Sequence, residues 1–332
     1  MRAQAVVATG PGCIEVQDVR VPDPTAEDVV VRVQHSWISP GTEGSFVRGE
    51  RIAGDTPRTE ADPLPFPHVP GYQKAGVVEW VGDAVQGIAV GDTVFATISK
   101  VQGMFYPYAG HVSPAVTHYS QIWRLPATVP PPAASGLVLA QVGYNVGTRP
   151  RVQAGEAVVV IGDGLVGQWS AQTLQHRSAR VLLAGRHDER LARFRATDAD
   201  RPVNTARENP VEVARSWAPQ GVQVVADTVG SITALEAFYP VLRRGAHLVS
   251  AGFYGSHGLI DIQKMRDLEL TLHAPSGWTS ERLSATLALL SQGALQTEPL
   301  ITHRFPMRRA AEAFDLILSR REPFLGVVLD WE

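Results

Sequence analysis

The sequence contains one cysteine, Cys13, in 332 residues. An intrachain disulfide is excluded, and so is any zinc site built on two or more thiolates. No apolar run approaches the roughly 18 residues that mark a membrane-spanning helix, so no membrane partner is expected. Positive charge is not in excess: 30 Lys and Arg stand against 33 Asp and Glu, a net charge of −3. Nucleic-acid binding needs a basic surface, and that class of function falls away. The opening segment MRAQAVVATGPGCIEV has no long apolar stretch of the signal-peptide kind, because GPG interrupts it. It reads as two strands around a turn. With so little cysteine, a cytoplasmic protein is expected.

The first part of the chain carries short β-like runs: DVVVRVQ (28–34), AGVVEWVG (75–82) and DTVFATI (92–98). Gly- and Pro-rich turns separate them, as in a compact β domain. The stretch 48–67 is long, polar and rich in proline, a lid or a surface loop. PPPAA (130–134) leads into a helix over 135–148. From there strands and helices alternate. AVVVIG and VLLAG read as buried strands, GQWSAQTLQHR and HDERLARF as helices, and GVQVVADTVG and GAHLVSAGFYG as further strands. Alternation of this kind predicts an α/β fold with a doubly wound parallel sheet. The tail holds a helix (308–319) and a strand expected to return to the β domain.

Gly162-Asp163-Gly164-Leu165-Val166-Gly167 is a GxGxxG motif between an apolar strand and a helix, the context that gives the motif its meaning. Gly162 allows the tight turn, Gly164 lets backbone approach a pyrophosphate, and Gly167 lets helix and strand pack closely. The helix start then offers N–H groups to phosphate. An NAD site usually carries an acid at the end of the second strand, bonded to the ribose. Here the residue is Gly185, followed by Arg186 and His187, with Arg190 one turn on. Glycine leaves room for a 2′-phosphate and arginine supplies charge-assisted bonds, so NADP(H) is expected.

With these landmarks in this order, the chain resembles the medium-chain dehydrogenase/reductase superfamily nearly end to end. VPGYQKAG, VGDAVQGIAVGDTVF, the GDGLVG turn, DTVG (227–230) and THRFPMRRAAEAF carry the resemblance. ISPGTE and PGYQ look most like the branch containing bacteriochlorophyllide a dehydrogenase. The resemblance implies a GroES-like catalytic domain over 1–135 and 278–332, and a Rossmann domain over 136–277. It also implies an active site in the cleft between them and a homodimer or homotetramer.

The departures matter as much as the matches. The three positions that supply zinc ligands in metal-dependent members fall at Ser39, Tyr72 and about Leu137, and Gln73 replaces a glutamate. No catalytic metal is expected. Protein donors must then stabilise the charge that develops on oxygen. The candidates are Tyr72, Thr42 and Ser39; for Tyr72 the alternative is a plug in the vacated metal site. His111 is a candidate general acid, and Tyr106 and Tyr108 are candidate substrate contacts or pocket wall. Gln141, Asp227, Gly252 and Phe253 match positions that line the cofactor in the family. The function expected is hydride transfer between NADP(H) and a small alcohol or carbonyl compound. The alternatives are an enoyl or quinone reductase, or a non-catalytic NADP-binding protein.

Overall fold

The computed structural model describes residues 1–255 and 258–331. Its contacts divide the chain into two compact units. One holds Met1–Val138, Leu283–Ser291 and the chain from Gln296 onward; the other holds Leu139–Arg282 and Gln292–Leu295. The main divisions fall three and five residues after the boundaries expected from sequence, and Gln292–Leu295, expected in the catalytic domain, groups with the second unit.

The first unit is mainly β. Strands Arg2–Gly10 and Cys13–Arg20 form the opening hairpin, with Val112–Ser113 on its far side. Strand Asp28–Ile38 is central to the larger sheet and pairs with Lys74–Val81, Ala115–His118 and Gly326–Asp330. The end of the chain is therefore built into the sheet begun by residue 28. The apolar run DVVVRV buries Val29, Val30, Val31 and Val33 and leaves Arg32 in solvent. Helix Ala310–Ser319 turns Ala313, Phe314 and Ile317 to one side, the three- and four-residue spacing of an amphipathic helix. They pack with Val6, Ile38, Val327 and Leu329.

The second unit carries six parallel strands: Arg201–Asn204, Arg180–Gly185, Ala157–Ile161, Val222–Asp227, Leu242–Ser250 and Thr271–His273, in that spatial order. By sequence the order is 3-2-1-4-5-6, the doubly wound arrangement for dinucleotides. Both faces of such a sheet are covered, which explains why every residue of AVVVI is buried.

Several elements differ from the sequence reading. The helix expected over 135–148 begins at Leu137, after a separate short helix Pro131–Ala134. Its two leading prolines suit a first turn, where no N–H is needed. The helix after the second parallel strand is only Asp188–Leu191, and the tail helix starts at Ala310 behind the 3-10 turn Met307–Arg309. The stretch 48–67 contains the small hairpin Arg51–Ala53 and Thr56–Pro57. The Arg58 guanidinium gathers the carbonyls of Gly49, Thr59 and Asp62 around it.

Lys74 opens strand Lys74–Val81 and is fully buried. Its Nζ donates to the carbonyls of Thr97 at 2.6 Å and Ala109 at 3.3 Å. Burial pulls its pKa from 10.5 down to about 7. The unfolded chain keeps that proton up to about pH 10.5, so unfolding takes up a proton between about pH 7 and 10.5. Stability therefore rises with pH across this window, and the full cost of the buried charge is present below it. Lys74→Met is expected to raise unfolding free energy at pH 6–7 by on the order of 3–5 kcal/mol, with the gain shrinking toward pH 10. Urea denaturation of both proteins across this range measures the effect.

Candidate functional site

The segment carrying Tyr72 is fixed by two glycines. Gly71 has φ +90°, which a side chain would strain. A Cβ on Gly110 would lie 2.0 Å from the Gly71 carbonyl carbon, so the two backbones are in direct contact. Gly110 and His111 both donate their N–H to the Pro70 carbonyl, at 3.2 and 3.1 Å. The result is a rigid turn that presents Tyr72.

The Tyr72 hydroxyl hydrogen-bonds with the side chains of Ser39 and Thr42. The three hydroxyls singled out in the sequence thus come together, from the end of strand Asp28–Ile38, the start of helix Thr42–Val47 and the PGY turn. Burial pushes the phenol up to about 12, and the nearby Glu43 carboxylate adds to the rise. Ser39, Thr42 and Arg51 pull the other way. Near neutral pH the group is a protonated hydrogen-bond donor. Its side chain is half-buried, whereas Ser39 is 2 % exposed.

Glu43 was not singled out in the sequence, and it organises the cluster. It is 1 % exposed. One carboxylate oxygen accepts the Ser39 N–H at 2.7 Å, and the other is 2.8 Å from His111 Nε2. His111 Nδ1 lies 2.8 Å from Ser36 Oγ, which also accepts the Trp331 indole N–H at 2.8 Å. This corrects the expectation for His111. Its ring is fully buried and both nitrogens are engaged, leaving no face for a substrate. It braces Glu43. The signal available in the sequence was an acid directly after the ISPGT turn, but its partner is 68 residues away.

Tyr106 is also corrected. It is 8 % exposed, donates its hydroxyl to the Ile52 carbonyl at 2.6 Å, and packs among Phe46, His68 and Phe105. Its role is to hold the 51–57 hairpin. Tyr108 stacks on Tyr106 at 5.3 Å and remains 38 % exposed, so it keeps an open face.

The residues at the three expected metal positions are a serine, a tyrosine and a buried leucine, Leu137. Among the described residues no group of three His, Cys, Asp or Glu side chains converges. Glu43 and His111, the ligand-type side chains beside the hydroxyl cluster, bond to each other. This donor set does not fit zinc.

The second unit carries the glycine turn. Gly162 has φ +115°. A Cβ on Gly167 would sit 1.9 Å from the Gly162 carbonyl oxygen, so the strand and helix Leu165–His176 approach as closely as backbones allow. Gly164 is the N-cap and offers no side-chain cap, leaving the helix start open to an anion. Leu165 and Val166 supply the first-turn backbone. Gln141 is fully buried, and neither atom of its amide finds a hydrogen-bond partner among the described residues. An orphaned amide of this kind fits a site that a polar ligand completes. Together these features fit a dinucleotide.

The end of the second parallel strand differs from expectation. Asp163 turns its carboxylate onto Gly185: a Cβ there would lie 2.4 Å from the Asp163 Cβ and Oδ2. Asp163 Oδ2 accepts the backbone N–H groups of Arg186 and His187 at 2.7 and 2.8 Å. His187 Nδ1 is 3.0 Å from Oδ2, and Arg190 reaches Oδ1 at 3.5 Å. Arg190 and His187, expected to serve a phosphate, are thus drawn to Asp163; Arg186 keeps an exposed guanidinium. Asp227 is corrected as well. It is fully buried, and its carboxylate accepts from the N–H groups of Val229, Gly230 and Ser231 and from the Tyr254 hydroxyl. It shapes a loop. Gly252 presses on that loop, its Cβ position 1.9 Å from Gly230 N, and Phe253 is 39 % exposed.

A doubly wound sheet with an open glycine turn and a separate β unit is the fold of alcohol-dehydrogenase-like proteins. The chain resembles the medium-chain dehydrogenase/reductase family. The family model for zinc-binding dehydrogenases matches residues 166–292, a span that holds none of Ser39, Tyr72 or Leu137. The chain is 29% identical to 2-desacetyl-2-hydroxyethyl bacteriochlorophyllide A dehydrogenase of Cereibacter sphaeroides, over 100% of this chain and 99% of that protein. Among solved structures it resembles an alcohol dehydrogenase of Escherichia coli complexed with NADH, with TM-score 0.84 and 21% identity over 99% of each chain. It also resembles a Sinorhizobium meliloti protein bound to NADP, with TM-score 0.79 and 20% identity over 99% of each chain. No helix among the described residues is long and apolar enough to cross a membrane.

Glu43→Ala strips His111 and the Ser39 N–H of a buried acceptor. It is expected to destabilise the protein by about 3 kcal/mol, read as a lower urea midpoint with an unchanged m-value.

Proposed function

We propose that this protein is an NADP(H)-dependent oxidoreductase that moves hydride between the dinucleotide and a small alcohol or carbonyl compound, with side-chain hydroxyls where relatives use zinc. The observation that carries the reading is the cluster of Tyr72, Ser39 and Thr42 hydroxyls, two of them at positions where the family resemblance puts zinc ligands. The glycine turn and the open helix start would hold the pyrophosphate, and the orphaned Gln141 amide would bond a polar group of the cofactor. The dinucleotide supplies the hydride. Tyr72 donates a hydrogen bond to the substrate oxygen, Ser39 and Thr42 hold the phenol in place, and Glu43 holds Ser39. The exposed Arg186 supports NADP(H) over NAD(H). A cytoplasmic homodimer or homotetramer accompanies this reading.

One observation favours an enoyl or quinone reductase as a second reading. Glu43 lies close enough to oppose phenolate formation at Tyr72. A donor that gives a hydrogen bond more readily than its proton suits a transition state whose charge spreads over an enolate.

The test is oxidation of NADPH and reduction of NADP by chelator-treated protein with ketones, enones, quinones and secondary alcohols. Activity is expected to survive chelation and to fall about 100-fold in kcat for Tyr72→Phe, with NADPH affinity unchanged. Activity confined to enones or quinones would select the second reading. A requirement for added zinc, or NADPH binding without turnover on any class, would overturn both.

A further inference from the structure

The acid missing from the end of strand Arg180–Gly185 is present in space. In dinucleotide sites of this topology the strand-end residue carries a carboxylate toward the adenosine ribose. Here that residue is Gly185, and the position its side chain would take is filled by the carboxylate of Asp163, from the glycine turn itself. A Cβ on Gly185 would lie 2.4 Å from the Asp163 Oδ2 and 2.6 Å from its Cγ. The glycine at 185 and the aspartate at 163 are thus one device in two parts: the first makes room for the second.

The carboxylate is held firmly. Asp163 is 5 % exposed. Its Oδ2 takes two backbone N–H groups at 2.7 and 2.8 Å and the His187 Nδ1 at 3.0 Å. Its Oδ1 has only longer contacts, His187 Nδ1 at 3.2 Å and Arg190 at 3.5 Å. Oδ1 is therefore the oxygen left to accept from an incoming hydroxyl. The charge count around it has a definite sign. Asp163 contributes one negative charge and draws in Arg190, while Arg186 stays exposed beside the strand end.

We propose that Asp163 is the residue that sets the cofactor selectivity of this chain, standing in for the strand-end acid and holding back the preference for a 2′-phosphate. Arg186 favours the phosphate and Asp163 opposes it, and the balance between them fixes the ratio of NADP to NAD binding. The proposal rests on the dinucleotide reading above but not on which dinucleotide the unaltered protein prefers. Removing the carboxylate deletes a repulsive charge and releases Arg190, so the ratio must move toward NADP from either starting point.

Calorimetric titration with adenosine 2′,5′-bisphosphate and with 5′-AMP tests this without turnover. Asp163→Asn is expected to raise the affinity ratio of bisphosphate to AMP by about tenfold. Arg186→Ala is expected to lower it. The exchange Asp163→Gly with Gly185→Asp returns a carboxylate to the strand end, into the space that removal of the Asp163 side chain opens. It should restore the wild-type ratio, with circular dichroism confirming that each variant is folded. Equal loss of both ligands in Asp163→Asn, or an unchanged ratio, would show a turn-bracing role only and overturn the proposal. A wild-type preference for AMP, with the ratio still shifting in the variants, would overturn the NADP(H) reading and leave this proposal standing. Failure of every folded form to bind either adenosine nucleotide would overturn both.

Discussion

A carboxylate as buried as Glu43 must be matched by donors, because an unpaired charge in the interior costs several times what a surface charge costs. In this chain the matching donors are the Ser39 N–H and His111 Nε2. They come from the two segments that frame Tyr72. The bond to Ser39 fixes the turn from which helix Thr42–Val47 starts. The bond to His111 locks the segment on which the PGY turn lies, and Ser36 and Trp331 secure the other side of that ring. Glu43 thus ties together the two segments that frame the three hydroxyls.

The dinucleotide unit is governed by a different constraint, backbone proximity. Gly167 and Gly162 touch where any side chain would collide, and Gly252 and Gly230 repeat the arrangement after the fourth and fifth strands. Where a side chain is admitted, at Asp163, a second glycine must yield to it at Gly185. Loop shape on this sheet is then finished by carboxylates that cap backbone N–H groups. Asp163 does so after the second strand and Asp227 after the fourth.

The features legible in the sequence are those written in neighbouring residues. Strand–turn–helix around GDGLVG and the buried runs of the parallel sheet sit in contiguous stretches. The features that escaped depend on pairs far apart in the chain. Glu43 and His111 meet across a sheet, so neither residue advertises the other, and His111 alone resembled an available general acid. Asp163 stood in plain view inside the motif. Its meaning depends on the direction of its side chain, which the motif does not encode. The direction of Arg190, toward Asp163, is likewise not written in the motif. The prolines at 131 and 132 did mark a helix start, but of a separate short helix.

In the proposed function a phenol takes the task of a metal, and the two differ in where they lose a proton. A zinc-bound water ionises near pH 7, whereas the Tyr72 phenol ionises at about 12. The most direct measurement is the pH dependence of kcat for carbonyl reduction by the chelator-treated protein, from pH 6 to 10.5, beside Tyr72→Phe. The account predicts a rate for the unaltered protein with no alkaline fall before about pH 10, and a uniformly low rate for the variant. A fall centred near pH 7–8, or a variant as fast as the unaltered protein, would contradict it.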